Sequence, residues 1–327
     1  MIYRKLGKSG MDVSVVGFGA WAIGGWMWGG TDEGQAVAAI QAAIDHGINL
    51  IDTAPAYGFG RSEEIVARAI HDRRDKIVLA TKCGLIWDRE AGEFMFHADQ
   101  AGVTSGTSEK TIYRYLHPDS IRAELERSLK RLKTTHVDLY QTHWQESTTP
   151  IADTMGALMK LKEQGKIRAI GVSNANLAQL QAYGPIDSDQ EKYSMLDRDL
   201  ENNGMLDYCR RQNVAMLAYS PLANGLLTGK IRPDRQYEPG DLRRNNSRFS
   251  PANVERVGAM LDQLKPIAQR HQATIGQLVI AWTVAQPGMT CVLCGARNPE
   301  QAIENAAAGQ INLSAEEVET MGRLVHL

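Results

Sequence analysis

Short apolar runs alternate with longer segments in which apolar residues recur every three or four positions, and the alternation covers nearly the whole chain. Runs at 15–19, 49–52, 77–82, 137–142, 167–172, 214–219 and 290–294 read as strands, and a weaker one near 188–191 makes eight. The segments between them predict helices over 32–46, 62–71, 118–132, 151–164, 176–183, 203–212, 252–270, 274–286 and 299–308, with a last one over 315–325. Several begin with physical start signals: Asp32 with Gln35 three residues on, Ser62 before Glu63 and Glu64, and Pro118 in a first turn.

Strands that alternate with helices build a parallel sheet with crossover connections. Eight such units without a Pro/Gly/Ser-rich linker predict one domain over 1–327, an α/β protein closed into a single (β/α)8 TIM barrel rather than an open doubly wound sheet. Residues 2–13 predict a β-hairpin turning at Lys8, Ser9 and Gly10, placed to cap the bottom of the barrel. Two long connections, 83–117 and 221–251, follow strand ends and are expected to rise over the carboxyl-terminal face, since loops of that length in a compact domain usually carry function.

One segment imitates a membrane span, because 13–30 contains a single polar residue, Ser14. Six of its residues are glycines, each costing a helix roughly 1 kcal/mol relative to alanine. A strand running into a glycine loop fits better. With 43% hydrophobic residues the chain can bury a large core, and 36 basic against 38 acidic side chains give a net charge of −2. That balance argues against a nucleic-acid partner. Four cysteines are too few for a disulfide scaffold, and the opening residues lack a signal peptide's apolar core, so the expected location is the cytoplasm.

The candidate chemistry lies at strand ends. Asp52 ends the second run, Lys82 the third, and the fourth leads into His143, while Tyr57 follows Asp52 by five residues. In a parallel barrel these ends share one mouth, where catalytic groups gather. Singly, each has a plainer role: His143 as a structural histidine, Asp52 as a turn cap, Tyr57 as a loop aromatic. Their joint occurrence at successive ends argues for a site.

An ordered set of motifs runs through the same chain: RKLGKSG at 4–10, DTAPAYG at 52–58, GRSE at 60–63, GKIR at 165–168, GVSN at 171–174, AYSPL at 218–222 and GARNPEQ at 295–301. In these the sequence resembles the aldo-keto reductases, in particular bacterial members related to the potassium-channel β subunits. The resemblance implies a barrel that binds NADP(H) across its top and reduces carbonyl compounds to alcohols. Tyr57 is then the proton donor, made more acidic by Lys82, which Asp52 holds in place, and His143 orients the carbonyl. The channel subunits have asparagine at the histidine position, so His143 favours an active reductase.

The same resemblance assigns the cofactor contacts. Tyr219 would stack on the nicotinamide, with Ser173, Asn174 and Gln190 on its carboxamide and Trp21 and Asp52 nearby. Ser220, Pro221, Leu222 and Lys230 suit the pyrophosphate. Gly295, Arg297, Gln301, Glu304 and Asn305 would hold the adenosine end, with Arg297 the partner for a 2′-phosphate and Arg243 folding over the cofactor. Arg243, Arg244 and Arg248 read equally well as a solvated basic loop. Cys291 and Cys294 form a CxxC, but residues three apart on a strand face opposite sides and no second Cys/His pair stands at zinc-ligand spacing. No metal is expected.

The alternative is a slow-turnover, cofactor-binding regulatory subunit that docks on a protein partner. Trp21, Trp26, Trp28, Trp87 and Trp144 describe an aromatic-walled pocket for a small carbonyl substrate without naming it; sugars, keto-polyols and small aldehydes all fit. Oligomeric state is not legible.

Overall fold

The computed structural model describes residues 1–98 and 110–324. It opens on an antiparallel hairpin, β1 (Tyr3–Lys5) and β2 (Asp12–Ser14). The first barrel units follow as β3 (Val16–Gly19), α1 (Glu33–Asp45), β4 (Leu50–Asp52), α2 (Arg61–Ala69) and β5 (Val78–Cys83). Short strands β6 (Leu85–Ile86), β7 (Glu93–Ala98) and β8 (Lys110–Arg114) precede α3 (Pro118–Leu132), β9 (Val137–Thr142), α4 (Ile151–Glu163), β10 (Ile167–Ser173), α5 (Leu177–Tyr183) and β11 (Ser188–Lys192). The chain continues through α6 (Met205–Gln212), β12 (Ala215–Tyr219), α7 (Pro251–Asp262), α8 (Lys265–Arg270), α9 (Ile275–Val284), β13 (Met289–Cys294), α10 (Pro299–Ala308) and α11 (Ala315–Arg323). Strands β3, β4, β5, β9, β10, β11, β12 and β13 pair in parallel in that order and close on themselves as the expected (β/α)8 barrel.

Alternation along each strand divides two cores. Leu50, Val78, Ala80, Leu139, Ala169, Leu217 and Cys291 point inward, and Leu6, Met11 and Val13 of the hairpin plug this inner core from below. Gly7 makes the plug possible, since at φ +54 a Cβ there would lie 2.1 Å from the Asp187 carbonyl oxygen. The complementary positions, among them Phe18, Ile51, Leu79, Tyr140, Val172 and Val292, pack against the surrounding helices. Cys291 joins the inner core and Cys294 the outer one, so the two thiols of the CxxC lie on opposite sides of β13.

Three expected elements differ in detail. The 252–270 helix is broken into α7 and α8, because Pro266 in the first turn of α8 has no N–H to continue the ladder. Ser62 does not cap α2; Gly60 takes the cap position at φ +102, and the buried Ser62 hydroxyl instead donates to the Ala20 carbonyl at 2.8 Å. Within 83–117, part of which lies outside the described residues, the chain forms an antiparallel sheet ordered β6, β8, β7 rather than an open loop. Residue 325, the expected end of the last helix, also lies outside them. No helix among the described residues is long and apolar enough to cross a membrane.

Candidate active site

Asp52 is the last residue of β4 and Lys82 the penultimate residue of β5, in neighbouring strands. Lys82 has no solvent exposure, and its ammonium donates to Asp52 Oδ1 at 2.6 Å, to the Thr53 carbonyl at 3.0 Å and to the Tyr57 hydroxyl at 3.2 Å. Three acceptors match the three donors of an ammonium. Burial favours the neutral amine, but Asp52 and Tyr57 outweigh it and hold Lys82 charged. For Tyr57 burial is the largest influence and raises the phenol above its ordinary value; Lys82 pulls it down and Asp52 pushes it up. The acidifying effect expected of Lys82 is therefore present but does not overcome burial in the protein alone.

His143, just beyond β9, has its ring centroid 5.6 Å from that of Tyr57, nearly perpendicular to it. Burial, reinforced by the nearby Lys82 charge, holds its imidazole well below the usual range, so the ring is neutral at ordinary pH. Asp52 is braced from the other side by residues on two further strands. Gln141 Nε2 and Gln190 Nε2 both donate to Asp52 Oδ2, at 3.1 and 2.9 Å. Gln141 was not among the expected site residues. Its signal was the period-two alternation of its strand, which turns Gln141 into the barrel between the outward Tyr140 and Thr142. Gly171 leaves room for it, since a Cβ there would lie 2.8 Å from Gln141 Cγ.

The mouth opens into a cleft of about 710 Å³. Of the expected catalytic and cofactor residues it is lined by Trp21, Asp52, Tyr57 and His143; Ser173, Asn174 and Gln190; Tyr219, Ser220, Pro221 and Leu222; Lys230, Arg243, Gly295, Arg297, Gln301, Glu304 and Asn305. Lys82 lies behind the wall, and Trp87, expected among the aromatic walls of the pocket, packs edge-on against Phe59 instead of lining the cleft. Met27, Leu85, Met95 and Phe96, which no expectation included, also line it. They come from the glycine loop and from the sheet read as open loop. Trp26 stacks on Phe96 with centroids 6.0 Å apart and packs on Phe59, so this sheet forms an apolar wall above Tyr57.

Several of the other polar groups of the cleft are already partnered. The Tyr219 hydroxyl donates to Asn174 Oδ1 at 2.7 Å, and Asn174 Nδ2 donates to the His143 carbonyl at 2.9 Å. Ser173 Oγ donates to the Gln190 carbonyl at 2.7 Å. Lys230 pairs with Glu304 at 2.6 Å, and Asn305 donates to the Gly295 carbonyl at 3.1 Å. Arg297 reaches across the cleft to the carbonyls of Trp28 and Gly30, at 3.3 and 2.6 Å, and its backbone N–H donates to Gln301 Oε1 at 2.9 Å. Arg243 is not solvated: two of its nitrogens clasp Asp241, at 2.9 and 2.6 Å, and its guanidinium lies over the rings of Trp28 and Tyr237. The basic-loop reading of Arg243 is thereby corrected, because the aromatic rings and Asp241 hold it at the cleft wall. Arg248 is likewise paired, through both terminal nitrogens, with Asp197.

The donor set fits an extended nicotinamide dinucleotide. One end offers amides and hydroxyls beside the fixed Tyr219 ring; the other gathers Lys230, Arg235, Arg243 and Arg297, cations suited to phosphate. Between them the backbone takes left-handed φ at Ser220, Ala223 and Asn224, all non-glycine residues, the kind of strain that collects at ligand sites.

Comparison with known proteins gives the site its context. Residues 15–325 match the model of the aldo/keto reductase family. The chain is 42% identical over 318 residues to the NADH-specific methylglyoxal reductase of Escherichia coli (strain K12), covering 94% of each. It is 39% identical over 307 residues to the aldo-keto reductase YhdN of Bacillus subtilis (strain 168), covering 92% of this chain and 86% of the relative. Among solved structures it superimposes on the glycerol dehydrogenase AKR11B4 from Gluconobacter oxydans with a TM-score of 0.83 at 37% identity, over 96% of this chain and 92% of the other. An aldo/keto reductase from Klebsiella pneumoniae in complex with NADP and acetate gives 0.70 at 29% identity, over 98% and 94%. With the barrel, the mouth and the match all extending over its length, the chain belongs to the aldo/keto reductase family, a family of nicotinamide-dependent carbonyl reductases.

Proposed function

We propose that this protein reduces aldehydes or ketones to alcohols with NADPH, using Tyr57 as the proton donor. The observation that carries the reading is the Tyr57 hydroxyl 3.2 Å from a fully buried, charged Lys82, which is itself 2.6 Å from Asp52, at the floor of a cleft shared with a neutral His143. When bound, the reduced nucleotide supplies the hydride.

The chain's own groups do the rest. Burial keeps the Tyr57 phenol protonated in the resting site, so its proton is available when charge builds on the carbonyl oxygen. Lys82 then stabilises the phenolate left behind, and Asp52 keeps that ammonium aimed. A neutral His143 holds the carbonyl oxygen through a ring N–H without competing as an acid. The apolar wall around Trp26 and Phe96 admits the substrate's carbon body and thins the water near Tyr57.

The preference for NADPH rests on the guanidinium groups of Arg297 and Arg243 at the adenosine end, and on the NADP complex of the Klebsiella relative. A second reading, NADH, has its own support: the Escherichia coli relative is named NADH-specific, and the Arg297 guanidinium already bonds two backbone carbonyls. Following nucleotide absorbance with small activated aldehydes and each nucleotide in turn tests both readings. Faster oxidation of NADPH supports the first, faster oxidation of NADH the second, and no oxidation of either with any carbonyl contradicts reductase function.

A further inference from the structure

Strand β11 carries Gln190 toward the barrel interior, and the residues on either side, Asp189 and Glu191, face outward beneath the turn that joins β10 to α5. That turn, Ser173–Asn174–Ala175, is hydrogen-bonded to three neighbouring parts of the cleft, through Gln145, Gln190 and Tyr219. Asn174 sits at φ +56 and connects the His143 carbonyl to the Tyr219 hydroxyl. From below, Glu191 Oε1 accepts the Ala175 N–H at 2.8 Å. Glu191 is only 8% exposed and Asp189 fully buried.

Among the described residues no positive charge offsets this pair. Besides the backbone of Asn174 and Ala175, the groups acting on it are Cys209 of α6 and Tyr219 of β12, and neither is a cation. Asp189 Oδ1 has no hydrogen-bond partner, and Oδ2 has only the Cys209 thiol at 3.9 Å. An orphaned buried carboxylate oxygen is costly. A proton on Asp189, donated to Glu191, removes that cost and the repulsion together.

We propose that Asp189 and Glu191 share one proton, and that the ionised Glu191 shapes the Ser173–Ala175 turn for nicotinamide binding, so that nucleotide affinity rises with pH as the second proton leaves the pair. The proposal rests on the reading of the cleft as a nicotinamide site. Both residues are positioning groups; neither touches the reacting atoms. Burial, with the repulsion of its neighbour, holds Asp189 protonated, while burial raises Glu191 to about 7. The neighbours do not titrate in the same range, since burial pushes the Cys209 thiol and the Tyr219 phenol up and the His143 imidazole well down. An ionised acceptor strengthens the bond to Ala175 N–H, and losing that strengthening corresponds to roughly a fivefold change in affinity.

The test is the dissociation constant of NADH, which lacks a titrating 2′-phosphate, measured by fluorescence from pH 6 to 8.5. The wild-type constant should rise about fivefold as pH falls across this range. Glu191→Gln keeps an oxygen for Ala175 but cannot ionise, so its profile should be flat. Asp189→Leu removes the donor that favours the ionised Glu191 and should move the midpoint to higher pH. Thermal midpoints of both variants establish that they are folded. A flat wild-type profile, or a wild-type slope retained in Glu191→Gln, overturns the proposal. If neither NADH nor NADPH binds at any pH, the cofactor reading itself fails.

Discussion

Lys82 is a charged side chain with no exposure to water, and it keeps its charge because three acceptors surround it. Such a group is expensive unless fully partnered, which explains why Asp52 is held in turn by Gln141 and Gln190. The charged residues Asp52 and Lys82 could be read from strand ends. Gln141 was missed, because a glutamine in an apolar strand draws attention only once the alternation has fixed which face points inward. Arg297 poses the opposite difficulty. Its place at the cleft was legible from GARNPEQ, but its bonds to the Trp28 and Gly30 carbonyls depend on a loop more than 260 residues away. Those carbonyls leave the guanidinium its charge. Truncating Arg297 to Ala should therefore weaken NADPH about ten- to a hundredfold, the scale of one charge-assisted hydrogen bond. NADH should lose little. Fluorescence titration of both nucleotides measures this, and equal losses would mean that Arg297 supports the loop and does not read the phosphate.

Among the elements, the strands and helices of the barrel were legible because each repeats one period over enough residues to stand out. The sheet of β6, β7 and β8 was not. Strand β6 has only two residues and β7 shifts register between Phe94 and Phe96, so only the pairing of Phe94, Phe96 and His97 with Tyr113, Ile112 and Thr111 reveals the sheet. Helix α3 supports this region from below through Glu124, a buried carboxyl that accepts from the Gly84 N–H at 2.9 Å and from Ser120 Oγ at 3.0 Å. Burial raises it to about 8, against 4.5 for a free glutamate. The folded protein thus retains a proton that the unfolded chain releases, so stability falls as pH climbs from about 4.5 to 8 and is lowest above that. Glu124→Gln keeps an acceptor for Gly84, and its amide can donate to Ser120 Oγ where the carboxyl accepted from it, without the titration. Its melting temperature should exceed that of the wild type by several degrees at pH 9 and match it closely at pH 5, as calorimetry at the two values would record. A stability difference between the two proteins that does not change from pH 5 to pH 9 would contradict the raised titration of Glu124.

The whole molecule separates stability from chemistry along the barrel axis. The hairpin closes the amino-terminal end with Leu6, Met11 and Val13, while every group assigned to catalysis stands at the other end. Gly7→Ala should accordingly destabilise the protein by at least about 1 kcal/mol, since alanine fits neither the positive φ nor the 2.1 Å approach to Asp187. Its kcat at a permissive temperature should equal that of wild type; a matching loss of kcat would show that the two ends are coupled. The central claim is that Tyr57 delivers the proton. It is tested most directly by Tyr57→Phe, with turnover followed by nucleotide absorbance and nucleotide binding measured on the same preparation. The account predicts a fall in kcat of roughly 10²–10⁴, the scale of general acid catalysis, with the dissociation constant of the nucleotide nearly unchanged. Turnover at the wild-type rate in Tyr57→Phe would contradict it.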